Sequence, residues 1–208
     1  MKIGVINCGT GSIASLLSAL AFYKYNVSIL DSPDVVDDSD VIVLTGMGTY
    51  SFGVTFLRSR GFWEPLSKAA TVEGKPILGL CLGMQLLGAC GYENGEHEGL
   101  GLVPGKTVRL DEAEGKVPRI GWCGVEALEP PLFQGIRSGA FFFMHSHHFV
   151  PENPEAVIAT AGHGSRPIAA AVRSGNILGL QFHPEKSQGD GLRILRNVME
   201  GFACSTRG

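Results

Sequence analysis

Cysteine, histidine and glutamate side chains that together can perform nucleophilic catalysis stand at two places in the sequence. Cys81 is the centre of residues 79–83, GLCLG, which has the G-x-nucleophile-x-G form of a sharp turn from a strand into a helix. Such a turn exposes the central side chain, and the free N–H groups of the following helix favour a thiolate and can donate to an oxyanion. The plainer alternative is a buried cysteine in a glycine-bounded turn.

A base and an orienting acceptor for that cysteine follow a later apolar run. His183 comes directly after the run, and Glu185 stands two residues further on. An imidazole can take the proton of a thiol, and a carboxylate beside the ring stabilises the imidazolium and fixes its tautomer. The sequence therefore predicts a triad of Cys81, His183 and Glu185, against the plainer interpretation of a loop histidine next to a solvated glutamate.

The segments that must position these residues predict an α/β fold. In the first half, strands are predicted at 3–6, 27–30, 41–44 and 77–80 and helices at 13–23, 52–58, 63–72 and 84–90, with Ser12 as a cap of the first helix. This alternation indicates βαβ units and a parallel, doubly wound sheet, in which catalytic groups lie at the carboxyl ends of strands.

The second half of the chain has a different pattern. Strands are predicted at 103–110, 121–126, 140–145, 156–160, 168–173 and 177–182, and one helix at 191–202. No linker-like stretch separates the two halves. We therefore expect a single domain over residues 1–208.

Composition and charge exclude several functional classes. The formal net charge is −3 and no cluster of Lys and Arg occurs, so a nucleic-acid partner is not expected. No apolar stretch reaches the ~18 residues of a membrane span, and the first residues are not typical of a signal peptide, so we expect a cytoplasmic protein without a membrane partner. The five cysteines show no paired spacing. We therefore predict no disulfide framework, no metal and no cofactor.

Four segments carry a family resemblance. Residues 78–87, LGLCLGMQLL, and residues 178–187, LGLQFHPEKS, resemble the two signatures of class I glutamine amidotransferases. Residues 117–122, VPRIGW, and 142–146, FFMHS, are similar to two further blocks of one group in that family, the glutaminase subunits (HisH) of imidazole glycerol phosphate synthase. The resemblance runs essentially from end to end.

The resemblance implies a fold and an activity. The fold is a flavodoxin-like three-layer sandwich with a mostly parallel, doubly wound sheet and a β-rich second half. The activity is hydrolysis of L-glutamine to glutamate and ammonia through a γ-glutamyl thioester on Cys81. The ammonia then passes to a synthase/cyclase subunit with a (β/α)₈ barrel, in a heterodimer. That partner makes imidazole glycerol phosphate and aminoimidazole carboxamide ribotide in histidine biosynthesis.

The resemblance also implies further site residues. Residues 45–48 correspond to the oxyanion strand of the family, Gln85 holds the substrate, and His145 with Ser146 lies against its α-carboxylate and amino end. The implied substrate and oxyanion residues are Gly46, Met47, Gly48, Leu82, Gln85, His145 and Ser146. The two glycines of the oxyanion strand permit a peptide flip, because glycine changes φ and ψ at low cost.

Five positions depart from the family pattern. The family usually has Asn at Ser12, Pro at Thr45, His at Arg119, Asn at Cys123 and Tyr at His147. Ordinary drift explains them, but so does a paralogue that feeds ammonia to a sugar-modifying ligase in surface polysaccharide synthesis. A non-catalytic activating subunit is a third hypothesis, which the intact triad opposes. The elbow alone would also suit a cysteine protease or esterase.

Overall fold

The computed structural model describes residues 1–11 and 13–205, and within them two β-sheets and five α-helices. The helices are α1 Ala14–Phe22, α2 Tyr50–Ser59, α3 Trp63–Thr71, α4 Leu82–Leu86 and α5 Gln188–Ser205. The strands are β1 Lys2–Asn7, β2 Asn26–Ile29, β3 Val41–Thr45, β4 Ile77–Leu80, β5 Cys90–Gly91, β6 His97–Glu98, β7 Gly105–Arg109, β8 Arg119–Ala127, β9 Ala140–His145, β10 His147–Pro151, β11 Val157–His163, β12 Arg166–Ser174 and β13 Ile177–Leu180.

The larger sheet has nine strands in the order β2-β1-β3-β4-β13-β12-β11-β8-β9. Its first five strands are parallel neighbours, and the other four continue the sheet in antiparallel pairs. The change occurs beside β13, so β4 and β13 are adjacent and end at the same edge. This arrangement confirms the predicted α/β first half and β-rich second half, and it places the residues after β4 and β13 side by side.

The parallel strands are buried on both faces, as their continuous apolar runs predict. Val41 and Val43 of β3 belong to one core with residues of α1 and α5, whereas Ile42 and Leu44 belong to a second core with residues of α2 and α3. Successive residues of a strand point to opposite faces, which explains the division. Helices therefore cover both faces of the sheet, and the predicted three layers are confirmed.

The smaller sheet, β10-β7-β5-β6, was mostly missed from the sequence. Only β7 was predicted, because β5 and β6 have two residues each and β10 begins with two histidines. The predicted helix at 84–90 was wrong at its ends. It begins at Leu82 and stops at Leu86, since the carbonyl groups of Leu86 and Leu87 accept hydrogen bonds from residues 100, 102 and 103 instead of continuing the helix.

Two further expectations are not tested by the structure, and a third concerns membrane spans. The predicted cap at Ser12 lies outside the described residues. The single domain over 1–208 stays a prediction. None of the helices within residues 1–11 and 13–205 has the length and apolar character needed to cross a bilayer.

Candidate active site

Cys81 occupies a strained turn between β4 and α4. Its backbone angles are φ 51° and ψ −106°, in the left-handed half of conformational space that non-glycine residues rarely adopt. The flanking glycines are needed for space. A Cβ on Gly83 would overlap the carbonyl oxygen of Leu44 on the neighbouring strand, and one on Gly79 would come 2.7 Å from the backbone nitrogen of Met84. The predicted elbow is therefore present, with its cysteine at the N-terminus of α4.

His183 follows β13 and is oriented by Glu185. Its Nδ1 lies 2.8 Å from Oε1 of Glu185, and the imidazole is 4% exposed. The backbone holds the histidine from two sides. Its N–H donates to the carbonyl oxygen of Phe142 on β9 at 2.8 Å, and its own carbonyl oxygen accepts from the Ser187 hydroxyl at 2.6 Å. That hydroxyl oxygen also accepts from the N–H of Phe142 at 2.9 Å, which closes a small network around the base.

The charge state of His183 depends on Cys81. Burial lowers the pKa of His183, but the negative charge of the Cys81 thiolate and the hydrogen-bonded carboxylate of Glu185 outweigh it and raise the pKa to about 10. The Nε2 atom, on the far side of the ring from Glu185, is buried without a hydrogen-bond partner among the described residues. The arrangement therefore favours a protonated imidazole at His183 and leaves Nε2 available for proton transfer to a ligand.

A pair of glutamine side chains lies beside the thiol. Nε2 of Gln181 lies 3.7 Å from the sulfur of Cys81, and Oε1 of Gln181 accepts from Nε2 of Gln85 at 3.2 Å. Nε2 of Gln85 also donates to the carbonyl oxygen of His147 at 2.7 Å. The motif that predicted His183 includes Gln181, but its type gave no sign that it would contact the sulfur.

A cavity of about 320 Å³ opens in front of Cys81. Its lining residues are Met47, Gly48, Cys81, Leu82, Gln85, Glu93, Pro118, Ile120, Met144, His145, Ser146 and His147. The structure thus brings together most of the substrate and oxyanion residues implied by the resemblance. Gly46, His183 and Glu185 line a second, smaller cavity of about 20 Å³, together with Met47.

The loop after β3 contributes Met47 and Gly48 to the lining of the cavity. Gly48 has φ +138°, which favours glycine, and a Cβ on Gly46 would come 2.6 Å from the backbone nitrogen of Gly9. The carbonyl oxygens of Thr45 and Met47 accept from the N–H groups of Cys8 and Thr10 at 2.8 and 2.9 Å. In the described part of the chain the peptide between them, Gly46–Met47, makes no such bond.

His145 has a supporting position in the wall. Burial lowers the pKa of His145 to about 3, so the ring is neutral, and its Nδ1 donates to the carbonyl oxygen of His147 at 2.8 Å. Because Gln85 donates to the same oxygen, His145 and Gln85 are fixed relative to each other. Ser146 lines the cavity beside them.

Glu93 is a cavity residue that the sequence did not predict. One of its carboxylate oxygens, Oε2, accepts from the N–H of Tyr50 at 2.7 Å, and the other lies 3.4 Å from Nδ1 of His147. It belongs to a polar loop with several acidic residues, YENGEHEG, so residue type alone could not single it out. A negative charge at this end of the cavity suits a positively charged substrate group.

Comparison with known proteins identifies the family. The model of the family "Glutamine amidotransferase class-I" matches residues 4–201. The chain belongs to the class I glutamine amidotransferase family. It is 40% identical over 203 residues to the imidazole glycerol phosphate synthase subunit HisH of Syntrophotalea carbinolica, covering 94% of this chain and 98% of that one.

Further relatives agree with this assignment. The subunit HisH of Desulfitobacterium hafniense is also 40% identical, over 94% of this chain and 92% of its own length. A solved structure of a glutamine amidotransferase superposes with a TM-score of 0.76 at 20% identity, over 97% of this chain and 98% of that chain. At that identity the likeness shows the fold alone, and it confirms the predicted amidotransferase fold.

Four of the five departures from the amidotransferase pattern can be located, since Ser12 lies outside the described residues. Thr45 ends β3 and is buried, and Arg119 places its guanidinium 4.5 Å from the ring centre of Phe143. Cys123 points its sulfur at backbone carbonyl groups on β8 and β11. Of the four, only His147 lines the cavity in front of Cys81. Across the two described segments, no group of three or more His, Cys, Asp or Glu residues could hold a metal ion.

Proposed function

We propose that this chain is the glutaminase subunit of an imidazole glycerol phosphate synthase. It hydrolyses L-glutamine to glutamate and ammonia, and the ammonia passes to a synthase/cyclase partner with a (β/α)₈ barrel, in a cytoplasmic heterodimer of histidine biosynthesis. The observation that carries the proposal is the 40% identity to a subunit with this printed name over 94% of this chain and 98% of that one. The catalytic assignment of Cys81, His183 and Glu185 is part of the proposal, and their geometry supports it.

The first half of the reaction forms a thioester. The thiolate of Cys81 attacks the side-chain amide carbon of glutamine, and the carbonyl electron pair moves onto oxygen. The free N–H of Leu82 at the start of α4 and an N–H from residues 46–48 stabilise this oxyanion from two sides of the cavity. The C–N bond then breaks as Nε2 of the His183 imidazolium gives its proton to the leaving nitrogen, which departs as ammonia.

The second half uses His183 as a base. Once the thioester has formed, the thiolate charge that raised the pKa of His183 is gone, while burial still lowers it. The neutral imidazole then takes a proton from water as the water oxygen attacks the thioester carbon, and the C–S bond breaks. Glutamate leaves, and the thiolate and imidazolium are restored. Glu185 keeps Nδ1 protonated throughout, so that Nε2 faces the reacting atoms.

The cavity also suits the other end of glutamine. Glu93 presents a carboxylate whose Oε2 is already fixed by the N–H of Tyr50, and it lies in the same cavity as Cys81. A carboxylate attracts the α-ammonium group of an amino acid more strongly than a neutral acceptor does. We therefore assign Glu93 to the α-ammonium and keep Gln85, His145 and Ser146 as the residues around the substrate.

The rim of the cavity suits a protein partner. Ile120 is 61% exposed and Trp122 is 50% exposed, although both are large and apolar. Trp122 packs edge-on against Phe142, with ring centres 6.2 Å apart, on the same face of β8 and β9. Exposed apolar patches next to a site mark interaction surfaces, and aromatic residues often contribute most to their affinity. We place the synthase/cyclase on this face.

A growth test separates the candidate functions. The gene is expressed in a histidine auxotroph that lacks its own glutaminase subunit, and we expect growth without histidine. Expression of Cys81→Ala in the same strain is the matched control and should fail at low ammonium. No rescue by the wild-type chain, together with glutamine hydrolysis by its natural complex, would favour the paralogue that feeds a sugar-modifying ligase. No glutamine hydrolysis in the natural complex would favour the non-catalytic activating subunit.

A further inference from the structure

The cavity in front of Cys81 contains a histidine–glutamate pair. Nδ1 of His147 lies 3.4 Å from Oε1 of Glu93, and the two side chains are 9% and 20% exposed. Both residues line the cavity. The carboxylate proposed to receive the α-ammonium of glutamine therefore has a titratable neighbour within ion-pair distance.

The surrounding structure holds this pair in place. The carbonyl oxygen of His147 accepts hydrogen bonds from Gln85 and His145, and β10 is paired with β7. Glu93 is anchored by the N–H of Tyr50 at the start of α2. Because His147 is held by its backbone and Glu93 by its carboxylate, a change in the charge of His147 acts on Glu93 at close range.

We propose that His147 is a positioning residue whose protonation state sets the affinity of the cavity for glutamine. The neutral ring leaves the charge of Glu93 free to bind the α-ammonium group. The protonated ring pairs with Glu93 and repels that group, so glutamine binds more weakly. This inference rests on the proposed function, since it takes glutamine as the substrate and Glu93 as its ammonium acceptor.

The charged groups around His147 decide where it titrates. Burial lowers the pKa of His147 below its usual value of 6.5. The negative charge of Glu93 opposes this lowering, whereas the positive charge of Arg109, which lies opposite His147 on β7, adds to it. Helix α4, which packs against β10, carries no titratable side chain between Leu82 and Leu86. Strand β12, the other neighbour, has charged residues only at Arg166 and Arg173.

The other histidines near the cavity have strongly shifted pKa values. The pKa of His145 is lowered to about 3 and that of His148 to about 4, in both cases mainly by burial, whereas that of His183 is raised to about 10. Of these four histidines, His147 is the one at ion-pair distance from Glu93, and because its pKa is lowered from 6.5, its ring takes up a proton as the pH falls below that value. Glutamine affinity should decrease as the pH falls from 7 to 5.

Calorimetric titration with L-glutamine between pH 5 and pH 7.5 tests this inference. The full-length chain carries Cys81→Ala, which prevents turnover, together with His183→Gln, because the pKa of His183 is no longer raised by the thiolate once Cys81 is replaced. We expect affinity to fall by about 10-fold from pH 7.5 to pH 5, because a charge so close to Glu93 competes with the ligand. Adding His147→Tyr or His147→Gln, neither of which titrates in this range, should reduce that change to within about 2-fold.

His97→Tyr in the same background is the matched control, because His97 is outside the cavity, and it should keep the full pH dependence. Two different substitutions of His147 are used, so that a local folding defect in one of them does not decide the result. If either variant of His147 binds glutamine with the pH dependence of the parent, the inference is wrong and the proposed function stands. If the parent binds no glutamine at any pH, both are overturned.

Discussion

The cavity has two walls of different character. The inner wall, Cys81, Leu82 and Gln85, comes from β4 and α4 and is buried in the core. The outer wall, Met47, Gly48, Pro118, Ile120 and Met144, comes from the β3 loop and from β8 and β9, and all five residues are at least partly exposed. At Gly79 and Gly83, which flank Cys81 beside the inner wall, a Cβ would overlap backbone atoms, so only glycine fits. On the outer wall the β3 loop also favours glycine at Gly48, where φ is +138°, whereas the side chain of Ile120 is 61% exposed.

The difference explains where the chain keeps the family pattern and where it departs. The elbow sequence is intact because a Cβ at position 79 or 83 would overlap backbone atoms. Thr45 and Arg119 stand beside the outer wall, where the partner is proposed to dock. We therefore propose that the thioester chemistry resides on the inner wall and that its control by the partner resides on the outer wall. Substitutions on each wall test this division.

The largest effect is expected from Cys81→Ala. Only thioester formation needs the thiol, so glutamine-dependent synthesis by the complex should fall to background while synthesis from added ammonia is kept. Both activities are measured on the same purified complex. Equal loss of both in a complex that still assembles would contradict the assignment of Cys81.

The next effect is expected from His183→Ala. Loss of proton transfer should lower glutamine turnover by ~10²–10⁴-fold or more, and Glu185→Gln should cost less because the base is still present. Steady-state kinetics of both variants in the complex provide the comparison. A larger loss in Glu185→Gln than in His183→Ala would reverse the roles of base and orienting carboxylate.

Gly83→Ala tests the steric constraint on the inner wall. The added methyl group overlaps the carbonyl oxygen of Leu44, which is backbone and cannot turn away, so we expect a loss of about 3 kcal/mol in the free energy of unfolding. Gly124→Ala on β8 is the matched control, since a Cβ there meets nothing within 4 Å. Urea denaturation measures both. Equal stability of the two variants would show that the elbow tolerates side chains.

Trp122→Ala tests the proposed partner face. We expect the dissociation constant of the complex to rise by at least about 10-fold, because truncating a central exposed aromatic typically costs this much at an interface. Leu128→Ala, at a similarly exposed apolar residue beyond the end of β8, should leave it unchanged. If both variants bind alike, the synthase/cyclase docks elsewhere.

The sequence predicted the inner wall better than the outer one, for a physical reason. Cys81 and His183 were singled out because each directly follows a predicted strand, which is visible in the local sequence. Glu93 and the contact of Gln181 with the thiol were missed, because they depend on side chains that meet only after folding. The end of α4 was missed because carbonyl groups at residues 86 and 87 are taken by a distant segment. The sequence of α4 alone therefore does not show where the helix ends.

The smallest effect is expected at Thr45, at the base of the outer wall. The peptides on either side of Gly46–Met47 are held through the carbonyl oxygens of Thr45 and Met47. The peptide between them makes no backbone hydrogen bond among the described residues, and its rotation would turn the N–H of Met47 towards or away from the oxyanion. One such donor is worth ~10²–10³-fold in rate, so its rotation would be a sufficient switch for activation by the partner.

Thr45→Pro restricts this hinge, because proline fixes φ near −65°. We expect glutamine turnover by the subunit alone to fall by ~2–5-fold, while turnover in the complex changes little, since the partner already selects the active arrangement. Thr45→Val is the matched control, because it keeps the shape and leaves φ free. Turnover is compared alone, with partner, and with partner plus acceptor. The hinge hypothesis is lost if the subunit alone is as fast as the complex, and the role of Thr45 is lost if proline leaves basal turnover unchanged.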